Sequence, residues 1–361
     1  MASDRSAPWE DPPGAFPPEI MGISRGSVSV VTERTTSKQA RNTIHPELSA
    51  ATVLRARLSK VRAEPHAVQR YLCRKAFPVF ERLGVHVVGD HFYEPVPNLS
   101  EIRAAYDDGA RPCHGIAIDR DRSERHLIDL LTKWGPSFAA DAEPFGFTHR
   151  NLTYAGVDAM ALYAIIRETR PSTIVEIGQG VSTTVLLAGL DANTRAGGER
   201  PRLVTIDPFL RINASLGSRS PNVDFEAHTV PVQRAPTALF SDLAPDSMLF
   251  IDSSHVHKWG SDVVTLFDDV LPQVAVGTNV HIHDIYTPFD YPREWYLDAR
   301  RFWNEQFVME AFLRFNSSFE VTLPMTLLVR ESAALAELWP KISHLDGTDL
   351  EGSSFYLRRT A

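Results

Sequence analysis

From Gly156 onward the chain switches repeatedly between two hydrophobic periods. Apolar runs at Thr173–Ile177, Arg202–Ile206, 227–232, 247–251 and 279–282 have the length of buried strands, and helical spacing holds over Gly156–Thr169, Ser182–Leu190 and Ser261–Leu271. Strands alternating with helices predict an α/β architecture: a doubly wound, mostly parallel sheet covered on both faces. A long amphipathic helix is expected from about Trp295 to Arg314, followed by strands near 318–323, 325–329 and 353–358.

The first 150 residues are patterned differently. Prolines at 8, 12, 13, 17 and 18 and a Ser/Thr/Arg-rich stretch predict a mobile arm over 1–40. Residues 41–150 are expected to form an accessory, mainly helical region. It would hold one helix over Pro46–Arg62, another from about Ala67 that Pro78 bends or ends, and a third around Arg125–Trp134. A β-type run followed by the aromatic residues His91, Phe92 and Tyr93 falls within 84–98; it could cover a ligand, and packing at a domain junction is the simpler account. Residues 151–361 form the α/β domain.

Composition narrows the class. The 361 residues are 43% hydrophobic and 23% charged, which excludes a mainly disordered, collagenous or coiled-coil chain. A net charge of −8 argues against nucleic acid or an anionic membrane as partner. The basic residues between 41 and 75 are therefore read as solvated helix faces. Two cysteines make no disulfide framework, and no apolar stretch reaches spanning length, so a soluble, cytoplasmic protein is expected.

The chemistry-bearing segments lie at strand ends. Val175-Glu-Ile-Gly-Gln-Gly-Val-Ser182 takes a strand into a helix through Gly178 and Gly180, where backbone can approach a ligand and exposed N–H groups suit a polar one. Asp207 ends the next strand, where a carboxylate can accept both hydroxyls of a ribose. A dinucleotide site would share these features, but the third position of its G-x-G-x-x-G fingerprint is Thr183, and Asp207 lies farther along than that fingerprint places its acid.

Ile174-Val-Glu-Ile-Gly-Gln-Gly resembles the first motif of class I S-adenosylmethionine-dependent methyltransferases, and Thr205-Ile-Asp-Pro resembles their second. The resemblance runs over about 150–361. It implies a Rossmann-like sheet with an antiparallel C-terminal strand, S-adenosylmethionine as cofactor, Glu176, Gly178, Gly180 and Ser182 around its methionine part, and Asp207 on its ribose. Gln233, after the third strand, is a candidate for meeting adenine. Phe250-Ile-Asp-Ser-Ser-His255 and Val280-His-Ile-His-Asp284 are similar to a bacterial group with many small-molecule O-methyltransferases. Gln179 and His283 depart from its pattern, where a small residue and an acid are more usual.

In an open α/β sheet the ligand crevice lies beyond the carboxyl ends of the strands, so Asp252, His255, His283 and Asp284 should share a rim with Gly178 and Asp207. Methyl transfer to a hydroxyl needs a base, and His255, with an unperturbed pKa of about 6.5, is the candidate. Asp252, counted also with the cofactor-binding residues, joins His283 and Asp284 as a candidate metal triad. Its imidazole favours Mn²⁺, Fe²⁺ or Zn²⁺ over Mg²⁺. The aromatic run Ile285–Trp295 is expected to roof the acceptor with Arg293 or Glu294 orienting it. Asn304 and Glu305 would face the acceptor, while Phe302, Trp303, Phe307, Phe312 and Phe315 are assigned to core.

These features predict a methyltransferase acting on a small-molecule hydroxyl, such as one on a sugar or a secondary metabolite. The N-terminal extension would close over the site or mediate a homodimer. The alternatives are an NAD-dependent oxidoreductase and a catalytically silent nucleotide-binding protein. The lack of a G-x-S-x-G elbow around Ser253 argues against a hydrolase built from Asp252, Ser253 and His255.

Overall fold

The computed structural model describes residues 67–361 apart from 91–92, 150, 152, 210–215, 217–218 and 344–349. The expected arm over 1–40, the helix over Pro46–Arg62, most of the basic stretch and the pair His91 and Phe92 lie outside the described residues.

Helix α1 spans Ala67–Glu81 and carries Pro78 within it, and α2 spans Leu99–Ala105. No strand forms over 84–89. Helix α3, expected around Arg125–Trp134, runs over Arg120–Ala142, capped by the Asp119 side chain, which accepts from Arg122 N. Then follow α4 (Gly156–Thr169), β1 (Thr173–Ile177), α5 (Val181–Arg195), β2 (Arg202–Ile206), β3 (Asp224–His228), the short α6 (Ala238–Ser241) and β4 (Met248–Ile251). Helix α7 begins at Asp262–Val264 and widens to π pitch over Thr265–Val270. The rest is β5 (Asn279–Ile282), α8 (Arg293–Leu297), α9 (Glu305–Leu313), β6 (Phe319–Pro324), α10 (Met325–Glu331), α11 (Ala333–Ile342) and β7 (Phe355–Arg359).

Among the described residues seven strands form one sheet, ordered β3-β2-β1-β4-β5-β7-β6. Strands β1 to β5 are parallel, and β7 runs antiparallel to both β5 and β6. Strand side chains alternate between faces, and the core divides accordingly. Ile174, Leu203, Met248, Phe250 and Tyr356 pack under α3, α4, α5 and α11. Val175, Val204, Leu249, Ile251, Val280 and Leu357 pack with Leu266, Phe267, Met309 and Leu313 on the other face. The first cluster includes Leu127, Leu131 and Phe138 of α3, so this helix of the expected accessory region contributes to the core of the α/β domain.

Two expected elements differ, and Phe307 and Phe315, assigned to core, are exposed. The segment from Met325 is a helix and not a strand: Met-Thr-Leu-Leu-Val is a short apolar run that periodicity cannot assign, and it turns helical directly after Pro324. The single helix expected over 295–314 is two helices, because the chain between them docks on the β4 loop. There the backbone N–H groups of Asn304 and Glu305 both donate to His255 O, and Arg300 takes a left-handed φ of 57°. The third strand sits slightly earlier than expected, at Asp224–His228.

Helices α4 and α5 meet where a Cβ on Gly189 would lie 2.8 Å from Ile166 Cγ2. Gly189→Val should overpack this contact and destabilise by about 1–3 kcal/mol, read as a lower Tm with the secondary structure retained.

Candidate active site

The tips of β1, β2, β4 and β5 open into a cavity of about 1190 Å³. It exceeds the roughly 300–1,000 Å³ usual for one small ligand, which leaves room for two molecules side by side.

One end is built by the turn after β1. Gly178 has φ +86°, and a Cβ there would lie 2.0 Å from Asp252 O, so only glycine lets the β1 and β4 tips approach this closely. Gly180 faces open space. Asp207 is held by backbone: Oδ2 accepts from Gln179 N at 2.9 Å and Oδ1 from Phe209 N at 2.6 Å. Gly178, Gly180, Ser182, Asp207 and Gln233 all line the cavity, and the Gln233 side-chain amide donates to Gly260 O at 3.0 Å.

Glu176 does not line it. On a strand of period two it falls on the α4/α5 side with Ile174, fully buried, where Ser182 Oγ and Thr183 Oγ1 each donate to its carboxylate at 2.7 Å. Glu176 therefore braces the start of α5, a correction to its expected contact with the cofactor. Burial pushes its pKa up to about 8 against the two hydroxyl donors.

The other end carries titratable groups. His255, buried and left-handed at φ 60°, places Nδ1 2.8 Å from Glu305 Oε2 and Nε2 3.2 Å from Asp252 Oδ1. Glu305 is fully buried and also accepts from Ser253 Oγ at 3.0 Å, so it orients His255 and does not face an acceptor as the sequence reading expected. Burial alone would lower the His255 pKa, but Asp252 and Glu305 outweigh it and push it up to about 10. Burial likewise opposes ionisation of Asp252, yet the imidazoles of His255 and His283 hold its carboxyl well below the usual range.

Asp252, His283 and Asp284 offer three ligand atoms within 4.8 Å of one another. The buried His283 Nδ1 makes no hydrogen bond and lies 3.8 Å from both Asp252 Oδ1 and Asp284 Oδ2. A ring nitrogen aimed between two carboxylates suits a cation, so the donor set fits a divalent metal. His281, one pleat earlier, is core: its ring stacks on Tyr356 at 4.3 Å and meets the edge of Phe250.

Trp295, Arg301 and Trp303 form the outer wall. The Trp303 ring lies 4.2 Å from that of His255, which corrects its assignment to core, and the Arg301 guanidinium sits 5.1 Å and 5.3 Å from the Trp295 and Trp303 rings. Arg293, Glu294 and Asn304 do not line the cavity. Asn304 Oδ1 instead accepts from His257 N. Arg301 and Asp158 were not anticipated; the signal for Asp158 was an acid in the first turn of a helix that is apolar from Ala159 to Ile166.

Residues 175–285 match the family described as a methyltransferase domain. Over this stretch, under a third of the chain, the sequence is similar to a methyltransferase domain. An uncharacterized protein of Archaeoglobus fulgidus is 27% identical to this chain over 129 residues. That stretch is 33% of this chain and 57% of the archaeal protein, so the chain spans somewhat over half of that relative. The S-adenosylhomocysteine-bound Podospora anserina methyltransferase PaMTH1 has 12% identity and a TM-score of 0.36, covering 68% of this chain and 98% of its own. A putative methyltransferase from Thermobifida fusca has 14% identity and a TM-score of 0.37, covering 69% and 96%. No helix among the described residues is long and apolar enough to cross a membrane.

The raised Glu176 pKa has a thermodynamic sign. The folded state holds this proton more tightly than the unfolded chain, whose carboxyl titrates near 4.5, so its contribution is full below that pH and is lost as pH rises through about 8. Glu176→Gln, which cannot ionise, should flatten the fall in Tm between about pH 5 and 8; an unchanged slope would show that the proton is held elsewhere.

Proposed function

We propose that the chain is an S-adenosylmethionine-dependent O-methyltransferase of small molecules, assisted by a divalent cation at Asp252, His283 and Asp284. One observation carries the reading: the glycine turn and Asp207 open into the same cavity as the acid–histidine cluster. The methyltransferase family match over residues 175–285 supports it.

Gly178 and Gly180 offer backbone to the methionine end of the nucleoside, and Asp207 Oδ1 and Oδ2 accept from its ribose. The acceptor lies against Trp295 and Trp303, whose flat faces suit a sugar or an aromatic ring, with Arg301 at the rim. The reaction moves a methyl group from sulfonium sulfur to the acceptor oxygen, and the hydroxyl proton leaves to His255 Nε2. Glu305 keeps Nδ1 engaged, which fixes the ring and stabilises the imidazolium as it forms. A bound divalent cation would polarise the acceptor oxygen and offset the carboxylate charge that otherwise keeps His255 protonated. The half-buried Trp303 ring lies against the imidazole, and His255 itself is buried.

Calorimetry with S-adenosylhomocysteine and, separately, NAD tests the first half: the former should bind and the latter should not. Asp207→Ala should weaken S-adenosylhomocysteine by about tenfold or more, as expected for a lost charge-assisted hydrogen bond. With a panel of hydroxylated sugars and phenols as acceptors, His255→Ala should lower kcat by about 10²-fold or more while cofactor affinity holds. Unimpaired turnover would remove His255 from the chemistry. Removal of divalent ions by a chelator should abolish methylation, and added Mn²⁺ should restore it.

A further inference from the structure

His283 is turned by a second layer of side chains. Asp158, buried in the first turn of α4, accepts from Ser353 N at 2.7 Å through Oδ2 and from Ser354 N at 3.2 Å through Oδ1. The same Oδ2 lies 3.8 Å from His283 Nε2. Ser353 Oγ donates to Asp284 Oδ1 at 3.0 Å and sits 3.5 Å from His283 Nε2, so its remaining lone pairs face the imidazole. The Tyr154 ring, 4.9 Å away, covers the imidazole. Everything polar near Nε2 is thus an acceptor, which keeps a ring proton there and makes Nδ1, directed between Asp252 and Asp284, the nitrogen that a bound cation would take.

We infer that Asp158 is a positioning residue that, with Ser353, fixes the His283 tautomer as a nitrogen donor and so selects an imidazole-accepting ion, Mn²⁺, Fe²⁺ or Zn²⁺, over Mg²⁺. The inference rests on the proposed cation site and adds to it which residue sets the ion. An outer carboxylate on a ligating histidine fixes its ring and raises its basicity, and its loss typically costs about 10–100-fold in metal affinity. Asn at position 158 can turn an N–H toward Nε2. That would move the ring proton to Nδ1 and close the lone pair.

Calorimetric titration of the metal-free chain with Mn²⁺ and, separately, Mg²⁺ tests this. The unmodified protein should bind Mn²⁺ about tenfold or more tighter than Mg²⁺. Asp158→Asn should weaken Mn²⁺ about 10–100-fold while S-adenosylhomocysteine affinity changes less than about threefold. Ser353→Ala, which leaves both backbone bonds to Asp158 in place, should weaken Mn²⁺ in the same direction. In a His283→Ala background, Asp158→Asn should cost almost nothing further, and the one-imidazole signature in the electron paramagnetic resonance of bound Cu²⁺ should be absent. Undiminished Mn²⁺ affinity in Asp158→Asn, or an equal loss with and without His283, would overturn the inference and leave the cation site standing. No divalent binding by the unmodified chain would remove both.

Discussion

The contact on which the site depends is between two strand ends. The Gly178 α-carbon passes so close to the Asp252 carbonyl that a single methyl group would lie 2.0 Å from it. The approach is anchored by Asp252 N donating to Ile177 O and Gly178 N donating to Ile206 O, each at 2.9 Å. It holds the glycine turn directly beside the loop that carries Asp252 and His255. Widening this gap would separate the proposed cofactor turn from the proposed base, and proximity of that kind is what orientation-dependent catalysis requires. His255 and Asp284 complete the rim in left-handed backbone conformations, a strain that the surrounding hydrogen bonds offset.

The alternation of strand side chains sorts chemically similar residues into different roles. Glu176, His281 and His283 share one side of the sheet. Glu176 is enclosed by the start of α5 and His281 by Phe250 and Tyr356, whereas His283 lies beyond the last residue of β5 and reaches the cavity. Position relative to the strand end, more than residue type, decides whether a buried polar group supports the frame or meets a ligand.

Much of this was legible in the sequence because the information was local. Strands β1, β2 and β5 and helix α4 fall on their expected ranges, since each is a short run with a clear period bounded by turn residues. Asp252, His255, His283 and Asp284 converge because a parallel sheet sends all its carboxyl ends to one edge. What stayed hidden depends on tertiary contact. Nothing in the run from Trp295 to Arg314 announces that His255 O interrupts it, so Glu305 and Trp303 could not be assigned their partners. Asp158 reads as an ordinary helix-start acid until β7 brings Ser353 and Ser354 beneath it.

The wall formed by Trp295, Arg301 and Trp303 lies wholly downstream of residue 285, where the family match ends. Under the proposed reading, the parts that grip the nucleoside and remove the proton are encoded upstream, and the parts that choose what is methylated are encoded in α8 and the irregular link that follows it. Such a link can be exchanged without disturbing strand pairing. On that reading the chain has the layout of an interchangeable specificity cassette joined to a fixed transfer engine, and new acceptors would be reached by rewriting residues 295–303.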